Sequence, residues 1–214
     1  MTERFDRAWL VEVSAALVIS LAAAMTSWVG FQAALWDGEQ AAHYAQAGAA
    51  RVEASSAIAA GGQLQTADLL LFQGWLSAAA EDEPMLQAFY RQRFRPEFAR
   101  AFEAWLETAP LKNPGAPASP FAMPEYHSAL LARAQQLQKK ADDLFNQGQR
   151  DNDIGDRFVR ATVLLAVALF FGGIGQTFKS TMIKGVLVAM AFVVCVLSAL
   201  MVAHLPILQL KLFE

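Results

Sequence analysis

The chain has 214 residues, of which 55% are hydrophobic and only 17% charged, with a mean hydropathy of +0.29. Soluble domains carry about 25% charged residues, so this composition excludes a disordered chain. A net charge of −3 and a single cysteine exclude a basic nucleic-acid binder and a disulfide scaffold.

Sixteen of the twenty acids and twelve of the seventeen Lys and Arg residues fall between Asp37 and Arg160, leaving the flanks nearly bare. A bilayer core about 30 Å thick needs roughly 20 apolar residues in a helix. Three stretches meet that length: 8–30, 158–178 and 182–205. The first contains only Glu12 as a charge and is bracketed by Trp9 and Trp28, placed as interfacial anchors. It is too long for the apolar region of a cleaved signal peptide. The pattern predicts an all-α membrane protein, with three transmembrane helices and a helical-bundle or coiled-coil extramembrane domain between the first and second. The division is 1–36, 37–157 and 158–214.

Past the first span, Ala41, Ala45, Gly48, Val52, Ser55 and Ala59 alternate at spacings of four and three, a seam of small residues. One helix is expected to run from the membrane to about residue 60, with a break at Gly61-Gly62. A second helix over 65–80, capped by Thr66, carries Leu69, Leu70, Leu71, Phe72, Trp75 and Leu76. Residues 84–108 place Phe94, Phe98, Phe102 and Trp105 on one stripe, with Arg93 and Glu97 as a surface pair and Pro96 starting or kinking a helix. The stripe reads as core, and Leu69, Phe72, Trp75, Phe98 and Trp105 are the candidate apolar pocket, for a lipid.

Five of the eight prolines lie between Pro110 and Pro124, so 109–124 is a strap, with Phe121 and Met123 as anchors. Leu130, Ala134, Leu137, Ala141, Leu144 and Gly148 then repeat the seam spacing with larger side chains, as expected of an antiparallel partner for the outgoing helix. Asp151-Asn152-Asp153-Ile154-Gly155-Asp156 mimics a calcium loop, but its glycine is fifth and position twelve is Thr162. A solvated juncture is the expectation there. The last two spans form a hairpin through Lys179-Ser180-Thr181. Arg4, Arg7, Lys179 and Lys184 share one membrane face and favour its being cytoplasmic, with 37–157 outside, although Lys211, Arg150, Arg157 and Arg160 pull the other way.

Chemistry is sparse. Cys195 is mid-span; His43, His127 and His204 lack a second ligand at helical spacing; Gly172-Gly173-Ile174-Gly175 follows no strand. No catalytic residue, metal ligand or cofactor is expected. Glu12 is the notable intramembrane group, expected to pair near the bend carrying Lys179 and Lys184. Ala16, Ser20 and Ala24 add a small-xxx-small face suited to close helix contact.

The stretches LWDGEQAAHYAQAGAARVEAS, RFRPEFARAFEAWL and NPGAPASPFAMPEY together resemble a family of uncharacterised bacterial membrane proteins, in which one span continues into a helical region closed by a two-span hairpin. The resemblance implies a bacterial inner-membrane location and this topology; it lends no activity and no functional residues. The leading expectation is a non-enzymatic protein of assembly or interaction, a homo-oligomer or an accessory subunit of a membrane complex, in contact with lipids. The alternatives are an oligomeric channel or transport component, and a lipid or small-ligand sensing module.

Overall fold

A computed structural model of the protein describes residues 7–209. Arg4 and Lys211, which bear on orientation, lie outside the described residues. Those described are helical, without a strand: α1 (Arg7–Ala80), α2 (Pro84–Arg91), α3 (Pro96–Glu107), a 3-10 turn (Pro120–Ala122), α4 (Ala129–Gly175) and α5 (Thr181–Ala203). Helices α1, α4 and α5 are each long and apolar enough to cross a membrane. The chain divides into two compact units. One takes in residues up to Ala45 and from Leu144 onward; the other is Gln46–Asp143.

The expected break at Gly61-Gly62 does not occur, and α1 continues for 74 residues. Two glycines cost a helix interior about 1 kcal/mol each. At Gly61 the missing side chain is used for packing: a Cβ there would sit 3.1 Å from Leu131 Cδ2. Thr66 is accordingly no cap, and its hydroxyl donates to the Gly62 carbonyl one turn back.

The buried face of α1 is also not the one expected. Ala41, Ala45, Gly48, Val52, Ser55 and Ala59 are all exposed, Val52 at 68%. Ala47, Ala50, Ala54, Ala57 and Gly61 are buried instead. Both stripes alternate three and four and both are alanine-rich, so spacing alone does not choose between them. On α4 the buried positions do follow Ala134, Ala141 and Gly148, with Leu130, Leu137 and Leu144 half-buried.

In the 46–143 unit, prolines punctuate the chain. Pro84 and Pro96 open α2 and α3 at positions where the missing N–H costs nothing, so Pro96 starts a helix and does not kink one. Because residues 92–95 are not helical, Arg93 and Glu97 do not pair. Arg93 stacks on the Phe89 ring, 3.4 Å from its centroid, and Glu97 bonds Arg95. Helix α3 ends with Ala109 in the left-handed region (φ 54°), just ahead of Pro110. The strap is irregular except for its 3-10 turn, whose Pro120 is buried.

In the other unit, α1, α4 and α5 meet through Ala22, Val29 and Trp36, through Phe158, Leu165 and Ala168, and through Ala191, Cys195 and Val202. Gly172 lets Ile19 approach to a distance that a Cβ would reduce to 2.6 Å. Ala22, Ala161, Ala168 and Ala191 among the buried contacts, with Leu17, Phe170, Phe192 and Leu200 outside, are the distribution expected of helices that pack closely and face hydrocarbon. The bend between α4 and α5 spans residues 176–180. Residues 151–156 are helical throughout, which bars a cation-wrapping loop, and Asp151 is buried, not solvated.

Candidate functional site

The most elaborated chemistry among the described residues is the charged floor of an aromatic core in the 46–143 unit. Asp68, on α1, is fully buried at 0% exposure. Burying a lone carboxylate costs several kcal/mol, so partners must compensate. Arg95, the residue before α3, supplies a two-pronged guanidinium: Nε donates to Oδ1 at 3.0 Å and an η nitrogen to Oδ2 at 2.5 Å. The other η nitrogen donates to Glu97 at 3.2 Å, and the Tyr126 hydroxyl donates to Asp68 Oδ2 at 3.3 Å. The hydrogen bond from Arg95 to Asp68 raises the guanidinium pKa above its usual value, against the opposing effect of burial. Burial, then the charge of Asp68 and the bond to it, pushes the Tyr126 phenol up to about 12. These contacts tie α1, the start of α3 and the segment just after the strap to one buried anion.

Above this floor Phe72, Trp75, Phe94, Phe98, Phe102 and Trp105 are all buried. Edge-to-face contacts dominate, with Trp75 and Phe102 centroids 4.8 Å apart and Phe72 and Trp105 5.3 Å apart. Such pairs add about 0.5–1.5 kcal/mol each beyond area burial. The strap closes the cluster: Phe121 lies 5.0 Å from Phe98, Met123 packs alongside, and the Trp105 indole donates to the Pro117 carbonyl at 2.7 Å. The five residues proposed for a pocket thus separate. Phe72, Trp75, Phe98 and Trp105 fill the space between them with their own rings. Leu69 is exposed and borders a shallow cavity of about 200 Å³ with Gly62, Gln65, Thr66 and Phe121.

In the other unit, Lys184 Nζ donates to Glu12 Oε1 at 3.3 Å, with the lysine 18% and the glutamate 59% exposed. Lys179 is exposed at the bend and has no ion pair among the described residues. Sequence reasoning missed two further contacts. His43 Nδ1 and Asp151 Oδ2 are 2.6 Å apart across α1 and α4, beside a Tyr44–Phe145 stack at 5.2 Å. The Gln32 amide, almost wholly buried, donates to the Leu208 carbonyl at 3.1 Å and accepts from its N–H at 3.0 Å, while the Trp36 indole donates to Pro206 O. These bonds fold the segment after α5 back onto α1. Asp68 and His43 share one signal, being charged or titratable residues that continue the buried alanine stripe of α1, and Asp151 continues the buried face of α4 beyond Gly148.

Among the described residues no three His, Cys, Asp or Glu side chains gather as a metal site. Cys195 is buried in the helical packing with no base beside it in the core it joins. No family model, curated protein or solved structure matches the chain.

Proposed function

We propose that the protein is a non-enzymatic, multi-pass component of a bacterial inner membrane that assembles with further copies of itself through the outer face of α1. In this reading α1, α4 and α5 cross the bilayer, the region 37–157 is an extracytoplasmic helical bundle, and the N-terminus and the α4–α5 bend are cytoplasmic.

The observation that carries the reading is where α1 keeps its charges. Between Gln40 and Ala80 its titratable acids and bases are His43, Arg51, Glu53, Asp68 and the phenol of Tyr44. His43 pairs with Asp151, Arg51 with Asp142, Glu53 with Arg133 and Asp68 with Arg95. Every charge is directed at a partner in the same chain. Gly48, Val52, Ser55, Ala59, Gly62 and Thr66 are left as an exposed, uncharged repeat. The exposed face of α4 is the opposite, with Arg133, Lys139, Lys140, Asp142, Asp143 and Arg150. A face meant for water is normally charged; one with only small and apolar residues at heptad spacing suits a second helix at close range.

The test is the mass of the particle in mild detergent for wild type, for Ser55→Arg with Ala59→Arg, and for Gln138→Arg on the charged face of α4. Expected is an oligomer that the α1 double variant dissociates and the α4 variant leaves intact. A monomeric wild type, or an oligomer indifferent to the α1 charges, refutes the proposal. Labelling a cysteine placed at Pro117 from either side of the membrane tests the orientation.

A further inference from the structure

Helices α1 and α5 leave an apolar groove of about 550 Å³ between them, lined by Leu10, Ser14, Leu17 and Leu21 on one wall and by Gly185, Val188 and Phe192 on the other, among others. From Leu10 to Leu21 at 1.5 Å per residue the groove is about 16 Å long, close to the half-thickness of about 15 Å that one leaflet presents. A cleft of this kind in hydrocarbon takes a chain of matching length, and its polar end decides which one.

Both walls begin at the same end. Arg7 lies three and seven residues before Leu10 and Ser14, on the same helical stripe, and side chains lean toward a helix N-terminus, so the guanidinium extends the wall outward beyond Leu10. Thr181 stands four residues before Gly185 on the other wall and opens α5. Its N-cap, Ser180, makes no side-chain capping bond, so the N–H groups of the first turn are not capped by that residue. The nearby Glu12 is matched by Lys184, and Lys179 adds a further positive charge at the bend. Among the described residues the mouth of the groove is therefore positive, while its length is aliphatic. We propose that it holds one acyl chain of an anionic phospholipid, with the phosphate between Arg7 and the first turn of α5. The proposal rests on the reading that these helices cross a membrane.

The experiment reconstitutes the full chain in phosphatidylcholine bilayers and records electron spin resonance of chain-labelled phosphatidylglycerol and phosphatidylcholine. Wild type is expected to immobilise the anionic lipid several-fold more than the zwitterionic one. Gly185→Leu puts a branched side chain into the groove from a position where a Cβ meets nothing within 4 Å. It is expected to abolish the immobilised fraction attributable to the site. Gly173→Leu, equally unobstructed but outside the groove, is expected to leave that fraction unchanged. Arg7→Gln is expected to remove the preference between headgroups while retaining the bound chain. Equal immobilisation of the two lipids by wild type, or an anionic preference that survives Gly185→Leu, overturns the site. A chain that fails to insert into the bilayer overturns the membrane reading as well, which separates the two failures.

Discussion

Replacing Arg95 by Met removes the guanidinium from a carboxylate that has no access to water, which makes it the sharpest single perturbation of the 46–143 unit. Removing one partner of a buried ion pair costs about 3–5 kcal/mol. Arg95 is itself 25% exposed and Tyr126 still donates to Asp68, so the low end, about 3 kcal/mol, applies. In a unit of this size each kcal/mol moves Tm by about 4–8 °C, giving a fall of at least about 12 °C. Asp68→Asn keeps one acceptor oxygen for the Arg95 η nitrogen and the Tyr126 hydroxyl but turns its NH2 toward Arg95 Nε; with the guanidinium partly exposed and able to reach water, it should cost less than Arg95→Met, about 1–2 kcal/mol. The double variant Arg95→Met with Asp68→Leu removes the buried charge altogether and should be more stable than Arg95→Met alone. The assay is thermal unfolding of the full chain in detergent, followed through Trp75 and Trp105 after Trp9, Trp28 and Trp36 have been replaced by Phe. If Arg95→Met stays within about 0.5 kcal/mol of its parent, or the two substitutions simply add, the buried anion is not what holds this region together.

Five further outcomes follow from the packing and the buried polar contacts. Gly148→Ala brings a Cβ to 2.6 Å from the Tyr44 ring, which Phe145 holds by stacking, and should cost about 1–3 kcal/mol; Gly62→Ala meets nothing and should stabilise the monomer by about 0.5–1 kcal/mol, both read from denaturant midpoints. Tyr126 titrates near 12 in the fold against about 10 when unfolded, so the stability it supports is complete below pH 10 and is lost as pH rises toward 12. Alkaline melting of wild type and Tyr126→Phe should diverge in that window, with the variant flatter. Gln32→Leu should release the segment after α5, seen as faster hydrogen exchange at the Leu208 amide. Ala109→Gly relieves a left-handed Ala and should raise the unfolding free energy by about 1 kcal/mol, read by urea titration.

How much of this was legible depends on which residues carried asymmetry. The three long apolar helices were, because Ala8–Trp36, Ala161–Phe178 and Gly185–Leu210 are almost without charge, and burial of Phe98, Phe102 and Trp105 followed from helical spacing. The orientation of α1 was not, because alanine occupies both of its candidate stripes and spacing cannot separate them. The tie breaks at His43, Asp68, Phe72 and Trp75, which continue the buried stripe toward either end; these large and titratable residues were better guides to the interior than the small ones between them. Gly61-Gly62 looked like a break because its cost is local, whereas its compensation, the close approach of Leu131, lies seventy residues away. The Gln32 contact carries no periodic signal at all, since its partners are backbone groups.

The absence of charge from the outer stripe of α1 also decides which reagents can see that helix. From Arg7 to Ala80 it contains no lysine and no cysteine, and its only arginines are Arg7 and Arg51. Amine-directed cross-linkers and trypsin will report on α4, with Lys139, Lys140 and Arg133, and return almost nothing from the outer face of α1. An assembly built on that face would leave no trace in a standard cross-linking map. Single cysteines placed at positions such as Ser55 would give it one.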